Sequence, residues 1–279
     1  MRISLDESPA RRHFTELIAR PLVPLAEAAL AVAQEEYPEI AVDAYLRQID
    51  ELAARVTARL QARRDAASTL RALRAVLFEE GGFRGNAEAY YDPRNSFLNE
   101  VLDRRVGIPI TLSVLYMEVA SRVGLPVHGV GFPGHFLVKY VAGQREIFID
   151  PFRGGELLSA EDCEARYQAV APGHALERRH LEPVTARQIL RRMLHNLEKI
   201  YVEGGDHVRG LWVVDRLLLL APEDIVARRD RGLFEARLGG TAAALSDLEA
   251  YLDAEPMARD ADELRELVGR LRSRASFLN

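Results

Sequence analysis

The stretch that decides the fold runs from residue 107 to residue 152 and reads GIPITLSVLYMEVASRVGLPVHGVGFPGHFLVKYVAGQREIFIDPF. Its first part predicts an apolar helix, with Pro109 in the first turn and Gly124 as the stop. The runs VHGVGF, HFLVKYV and EIFIDPF then predict short strands. The last two are separated by Ala142–Gly143–Gln144, which is typical of a hairpin. The stretch therefore predicts a helix followed by an antiparallel sheet, which is an α+β core.

The chain before this core is predicted to be helical over residues 1–80. Three segments there have apolar residues at helical spacing: EAALAVAQEEYPEI, AYLRQIDELAARVTARLQARR and AASTLRALRAVLFEEGGF. Gly81–Gly82 is expected to end the third helix. Residues 83–108 are rich in Asn, Asp, Pro and Gly, and they predict a loop with one short helix around Phe97–Arg104.

After Pro183 the sequence predicts helices up to the end of the chain. Pro222 and Pro256 lie 256 − 222 = 34 residues apart, which is the tetratricopeptide period. We therefore expect two degenerate repeats and a terminal helix from Asp262, with Trp212 buried; three unrelated amphipathic helices are the alternative. Three positions depart from the usual repeat pattern: Gly210, Arg231 and Glu235.

The predicted domain boundary falls between residues 183 and 184. Residues 1–183 would hold the helical segment and the α+β core, and residues 184–279 the all-α repeat unit. Two repeats are fewer than the three that are usually needed for independent stability, which favours packing of the repeats on the core.

Composition excludes several classes of protein. The chain has 279 residues, of which 48% are hydrophobic and 28% charged, and its net charge of −5 indicates no polyanionic partner. No stretch reaches the ~18 apolar residues of a membrane helix, and the N-terminus lacks the order of a signal peptide. A single cysteine, Cys163, excludes an intrachain disulfide and a multi-cysteine metal site. We expect a cytoplasmic protein with no metal, cofactor, nucleic-acid partner or membrane partner.

His135 and Asp150 are the residues most suited to chemistry. His135 begins one predicted strand and Asp150 ends the next, so a hairpin would bring them together near one end of the sheet. An Asp that accepts from one imidazole nitrogen fixes the tautomer and leaves the other nitrogen available. A purely structural hydrogen bond would need the same spacing, so the residues alone leave both interpretations open.

The phrases YYDPRNSFLNEVLDRRVGIPITLSVLY, GVGFPGHFLVKY and DPFRGGELLS resemble the transglutaminase-like superfamily, and within it the bacterial SirB-type branch with C-terminal tetratricopeptide-like repeats. The resemblance implies a papain-like core in which a nucleophilic Cys opens the helix, and a His and an Asp follow on adjacent strands. These correspond to His135 and Asp150. Gly-Leu-Pro at 124–126 matches a Gly-Ile-Pro that follows the Cys by 15 positions, and 124 − 15 = 109 is Pro109.

Proline at this position removes the nucleophile, because attack on an amide in this chemistry needs a thiolate. Cys163 lies in the helix-like SAEDCEARYQAV, away from the required helix start, and is expected to be a core residue. Thr111 and Ser113 lie near that start, and hydroxyl catalysis by them is the less favoured alternative. The resemblance thus implies a protein that has kept the His–Asp pair and lost its nucleophile.

The polar segment YYDPRNSFLNE, just before the core helix, supplies the candidate binding residues. Turn chemistry explains part of it, with Asp92–Pro93 as a bend and Ser96 as the N-cap of the next helix. The alternative is a cleft beside His135, which would favour an anionic or carbonyl group because a helix N-terminus offers free N–H groups. The candidates are Tyr91, Arg94, Asn95, Ser96 and Asn99.

Three functions follow from these features. The missing Cys favours a non-catalytic binding or adaptor protein whose partner is a protein or peptide. The retained His135 and Asp150 allow a cryptic hydrolase or acyltransferase that uses water or a hydroxyl. The short repeat unit allows a regulatory protein in which the repeats cap the cleft.

Overall fold

The structure is a computed structural model that describes residues 8–60, 65–143 and 145–277, and its fold is α+β, as predicted. The chain forms two compact units: Glu16–Met193, and Met1–Thr15 together with Leu194–Asn279. This division lies 193 − 183 = 10 residues after the predicted boundary, within the continuous helix α8 (Ala186–Glu203). The inclusion of residues 8–15 in the second unit was not predicted; within them, Arg11 forms an ion pair of 2.8 Å with Asp215.

The helical N-terminal part agrees with the predicted pattern. The predicted apolar stripe of α3 is buried at Ile49, Leu52, Ala53, Val56 and Leu60. The third predicted helix starts as an α-helix and continues as a π-helical turn over Ala75–Glu80, closed by a bond of 2.9 Å from Gly81 N to Val76 O. The α-helices of this part are α1 (Pro9–Ile18), α2 (Leu25–Ala33), α3 (Val42–Leu60) and α4 (Ala66–Arg74).

The polar segment leads into the central helix. A two-residue strand β1 (Arg84–Gly85) pairs in parallel with β2 (Val106–Gly107). Between them lie the 3-10 turn Pro93–Ser96 and the short helix α5 (Leu98–Arg104). Helix α6 (Pro109–Arg122) follows; it is buried along most of its length and has Pro109 at its first position.

The sheet of this unit is a four-stranded antiparallel meander in the order β3-β4-β5-β6. Val138 of β4 is opposite Ile149 of β5, which is the predicted hairpin. Gln144, the last residue of the predicted turn, lies outside the described residues. Strand β6, which was not predicted, pairs with the end of β5 and leads into helix α7 (Ala160–Val170). The strands are β3 (Val127–Val130), β4 (Leu137–Ala142), β5 (Arg145–Asp150) and β6 (Glu156–Leu158).

The second unit is helical, as the proline period predicts, and Trp212 is buried. Two of the three residues that depart from the repeat pattern make specific contacts with neighbouring side chains. Gly210 lies under the ring of Phe234, so that a Cβ there would be 2.4 Å from a ring carbon. Arg231 forms two hydrogen bonds, of 2.6 and 2.8 Å, to the carboxylate of Asp247. Its helices after α8 are α9 (His207–Leu220), α10 (Ile225–Leu238), α11 (Thr241–Ala254) and α12 (Ala261–Phe277).

The helices in the described part of the chain are not of the membrane-spanning kind. None of them combines the length and the apolar character that a membrane-spanning helix needs.

Candidate functional site

A tight turn places His135 just before β4. His135 N bonds to Phe132 O at 3.1 Å, and Pro133 and Gly134 occupy the two central positions. Gly134 has φ of +68°, which is the left-handed conformation that the third position of a type II turn requires. His135 therefore lies two residues before strand β4. The sequence analysis had predicted it to be the first residue of that strand. The PGH run of the sequence thus fixes the position of the imidazole.

The predicted hydrogen bond between the hairpin residues is present. His135 Nε2 lies 2.9 Å from Asp150 Oδ1, and the Asp150 side chain is fully buried. The same Oδ1 accepts the backbone N–H groups of Phe152 and Arg153, at 3.1 and 3.3 Å, and so caps the 3-10 turn Pro151–Arg153. Because Nε2 is bonded to the carboxylate, Nδ1 is the imidazole nitrogen that remains for another partner.

Arg166 completes the surroundings of Asp150. Its Nη1 donates to Asp150 Oδ2 at 2.6 Å, and its Nη2 donates to Glu156 Oε2 at 2.6 Å. Burial acts to raise the pKa of Asp150, but the hydrogen bond from His135 and the charge of Arg166 outweigh it and hold the pKa below its usual range. Asp150 is therefore an ionised carboxylate whose two oxygens are both occupied, which suits it to orient His135.

The thiol and the helix start lie in different surroundings. Pro109 is buried at the first position of α6. Cys163 is fully buried in α7, in an apolar cluster with Phe132 and Phe148, and burial raises the pKa of its thiol to about 11. A thiol that is inaccessible and protonated at neutral pH is a poor nucleophile. The expectation that Cys163 is a core residue is confirmed.

Two hydroxyl groups near the helix start have different roles, although both are fully buried. Thr111 Oγ1 accepts the N–H of Ile108 at 3.1 Å and donates to the carbonyl of Asn95 at 2.8 Å. It therefore ties the polar segment to the first turn of α6. Ser113 Oγ has no hydrogen-bond partner among the described residues. Neither hydroxyl is accessible to a substrate in this conformation.

The candidate residues of the polar segment divide into exposed and buried groups. Tyr91 is exposed, and Arg94 is exposed with its charge paired to Asp92 at 2.7 Å. The buried Asn95 donates to the carbonyls of Ala89 and Tyr90, at 2.7 and 3.3 Å. Asn95 thus holds the segment together, in line with the turn-chemistry interpretation.

Ser96 and Asn99 are buried and incompletely bonded. Ser96 Oγ and Asn99 Oδ1 have no partner among the described residues. The expectation that Ser96 caps the following helix is wrong, because Phe97 occupies the N-cap position of α5. Asp92 is the residue that caps, and it does so for the 3-10 turn, since its side chain accepts the N–H of Arg94 at 3.0 Å.

Aromatic rings connect the polar segment to His135. The Phe152 ring lies edge-on to the His135 ring, at 5.8 Å between centroids, and to the Tyr90 ring, at 6.2 Å. Gly85 leaves the space for Phe152, because a Cβ at this glycine would lie 2.5 Å from the ring. The structure thus brings Phe152 next to the predicted histidine and Tyr90 next to Phe152, and the sequence analysis selected neither residue.

The sequence analysis also did not select two arginines that the structure places in the site. Arg166 lies four residues after Asp162, which is the spacing of a local helix pair and gives no sign of Asp150. Arg192 Nη2 donates to the carbonyls of Phe132 and His135, at 3.0 and 2.6 Å, and so holds the turn that carries the imidazole. Within the described residues, no group of three His, Cys, Asp or Glu side chains is placed to hold a metal ion.

Comparisons with known proteins agree with this architecture. The family model described as the transglutaminase-like superfamily matches residues 43–195, and a tetratricopeptide-repeat model matches residues 197–269. A UPF0162 protein of Xylella fastidiosa (strain Temecula1) is 37% identical over 247 residues, which cover 87% of this chain and 88% of the relative. A UPF0162 protein of Vibrio cholerae is 30% identical over 249 residues, which cover 88% of this chain and 92% of the relative. F-box only protein 21 of Mus musculus is 35% identical over 136 residues, which cover 46% of this chain and 21% of that protein.

Proposed function

Because the chain belongs to the transglutaminase-like superfamily, we propose that it is a member without a nucleophile and that it binds a protein or peptide partner. The observation that carries this proposal is the pair formed by Pro109, at the start of α6, and Cys163, the one cysteine of the chain, which is sealed in an apolar cluster. No thiol is then available where the family's chemistry needs one. The candidate binding residues are Tyr91, Arg94, Asn95, Ser96 and Asn99 of the polar segment, together with the retained pair His135 and Asp150.

The repeat unit supports binding as the function. Tetratricopeptide repeats stack helices into surfaces that typically contact other proteins, and a repeat model matches residues 197–269. A partner would therefore have two places of contact on this chain: the region around His135 and the repeat unit.

One observation favours a second candidate, a hydrolase that uses water. The hydrogen bond of His135 Nε2 to Asp150 fixes the imidazole and leaves Nδ1 as a base for a water molecule. The burial of Thr111 and Ser113 weakens the version of this candidate that uses a hydroxyl nucleophile. Hydrolysis of p-nitrophenyl acetate by the wild-type protein, lost on His135→Ala, would favour the hydrolase over the binding protein.

The sharpest test is to restore the thiol. The variant P109C, made in a C163A background, places a cysteine at the helix start, where the dipole and His135 would stabilise a thiolate. We expect its thiolate absorbance to appear at lower pH than that of free cysteine, and H135A to shift the titration back upwards. S113C in the same background is the matched control, because its thiol would lie deeper in the same helix and should titrate at higher pH. A P109C titration that does not depend on His135 would show that Pro109 is not at the nucleophile position.

A further inference from the structure

Arg192 is a half-buried cation beside the histidine turn, and among the described residues it has no acidic partner. Its Nη2 donates hydrogen bonds to the carbonyls of Phe132 and His135. No described residue accepts a hydrogen bond from its Nε or Nη1, and no described carboxylate forms an ion pair with it. The guanidinium also lies over the Phe136 ring, at 5.5 Å from the centroid. The fold therefore holds this positive charge in place without neutralising it.

A continuous chain of contacts runs from Arg192 through the histidine turn to Tyr90. Arg192 is bonded to the backbone of His135, the His135 ring packs against Phe152, and Phe152 packs against Tyr90. Tyr90 also acts electrostatically on Arg192, where it raises the pKa of the guanidinium against the effect of burial. Two aromatic rings and an imidazole thus follow one another in contact, starting at the turn that the guanidinium holds.

Arg166, the other arginine of the site, differs from Arg192 because its charge is neutralised by carboxylates. It donates to Asp150 and to Glu156, at 2.6 Å in each case. Arg192 has no such compensation, and burial lowers the pKa of its guanidinium. A partly buried charge without a counter-ion carries a desolvation cost that an anionic ligand would offset. A structural role in holding the turn accounts for Nη2 but not for the other two nitrogens.

We propose that Arg192 binds a carboxylate of the partner, either the C-terminal carboxylate of a peptide or the side chain of an Asp or Glu. Nη1 and Nε supply the charge and the hydrogen bonds, and the rings of Tyr90 and Phe152 form an apolar wall for the group that carries the carboxylate. Gly131 leaves the room in which Nη1 lies, since a Cβ there would be 3.2 Å from that atom. The inference rests on the proposed binding function and names the chemical class of its ligand.

The probe for this site is hippurate, which carries an aromatic amide and one carboxylate, and its neutral counterpart is hippuramide. Side-chain NMR signals of arginine in the wild-type protein are followed during titration at constant ionic strength. We expect the Arg192 Nε–H signal to shift with saturation at a Kd of roughly millimolar. Hippuramide should bind at least about tenfold more weakly, because it lacks the charge. Equal binding of the two compounds, or no saturable shift with hippurate, would overturn the inference, and neither result depends on a variant.

Two substitutions on α8 add a matched comparison. Arg192→Gln removes the charge while its amide can still donate to the turn, and it should weaken hippurate binding at least about tenfold. Arg187→Gln is the control, because Arg187 lies on the same helix and also donates to a backbone carbonyl, that of Ile18 at 2.7 Å. Hippurate binding by R187Q should equal that of the wild type, and wild-type affinity in R192Q would overturn the inference. Hydrolysis of hippuramide during the titration would instead contradict the non-catalytic function, so the two failures are distinguishable.

Discussion

Arg166 Nη1 lies 2.6 Å from Asp150 Oδ2, and this contact leaves Oδ1 of the same carboxylate to His135 and two backbone N–H groups. One buried carboxylate therefore joins helix α7, the 3-10 turn after β5 and the histidine turn before β4. The charge of Asp150 serves both the fold and the orientation of the imidazole.

Asp150→Asn should be strongly destabilising. It leaves the buried end of Arg166 without its counter-ion, and the loss of one partner of a buried pair costs about 3 kcal/mol or more. The measurement is the free energy of unfolding in urea. Glu156→Gln is the control, because Glu156 is the exposed partner of the same arginine and its loss should stay within about 0.5 kcal/mol. Similar losses in the two variants would contradict a special role for Asp150.

The contribution of Asp150 should depend on pH with a definite sign. Its pKa in the folded protein is below the usual value, so the unfolded chain binds the proton more readily. The stabilisation is then fully present above about pH 4, the unfolded pKa, and is lost as the pH falls through the folded pKa. The difference in unfolding free energy between wild type and D150N should accordingly shrink below about pH 4. A difference that stays constant into acid would show that folding does not lower the pKa of this carboxyl.

Two buried hydroxyls in one helix should respond in opposite ways to removal. Thr111→Val breaks the bonds to Ile108 N and Asn95 O, and should cost about 2 kcal/mol of unfolding free energy. Ser113→Ala removes an Oγ that has no partner among the described residues, and should be neutral or stabilising. Urea unfolding of both variants measures this. A large loss of unfolding free energy in S113A would mean that the Ser113 hydroxyl does form a hydrogen bond in the folded protein.

Cys163 should be nearly inert in the folded protein. Its thiol is fully buried and burial raises its pKa to about 11, so reaction with a disulfide reagent should wait for unfolding. The measurement is the rate of labelling under native conditions and in denaturant. Val170→Cys places a thiol at an exposed position of the same helix and should react immediately. Equal native rates for the two thiols would contradict the burial of Cys163.

The contact of Gly210 with Phe234 should appear as a coupling between the two positions. Gly210→Ala forces a Cβ against the ring and should cost about 2 kcal/mol, which Phe234→Leu should partly restore. Unfolding can be followed by the fluorescence of Trp212, the one tryptophan of the chain. Gly269→Ala, in α12, is the control; its Cβ would meet nothing within 4 Å, and the change should stabilise by up to about 1 kcal/mol. Equal losses in G210A and G269A would point to backbone effects instead.

The sequence predicts the parts of the fold that have a local signal. The turn residues Ala142–Gly143–Gln144 predict the hairpin, and the spacing of Pro222 and Pro256 predicts the repeats. Contacts between distant segments lack such a signal. Asp162 stands four residues before Arg166, which predicts a local pair, yet Asp162 is used in the cap with Ser159 and the arginine reaches Asp150.

The candidate site was predicted only where residue type and turn chemistry coincide, as at His135 and Asp150. Ser96 has the residue type of an N-cap and follows a bend, yet the chain uses Asp92 for a 3-10 turn and starts the α-helix one residue later than expected. Arg192 lies on an amphipathic helix far along the chain, and nothing in its neighbours indicates that it reaches back to the histidine turn.

The π-helical turn over Ala75–Glu80 has a consequence for the comparison of related chains. A π-helical turn holds more residues than an α-helical one, so it can absorb an inserted residue without rotating the helix that precedes it. Phe78 lies in this turn, stacks on Tyr116 at 6.2 Å and fills the space beside Gly155, where a Cβ would be 2.7 Å from its ring. A relative that lacks one residue here would present a different side chain to that glycine. Because Gly155 has φ of +73°, which residues with a side chain rarely adopt, a gap near position 78 should change the partner of Tyr116 and leave this glycine in place.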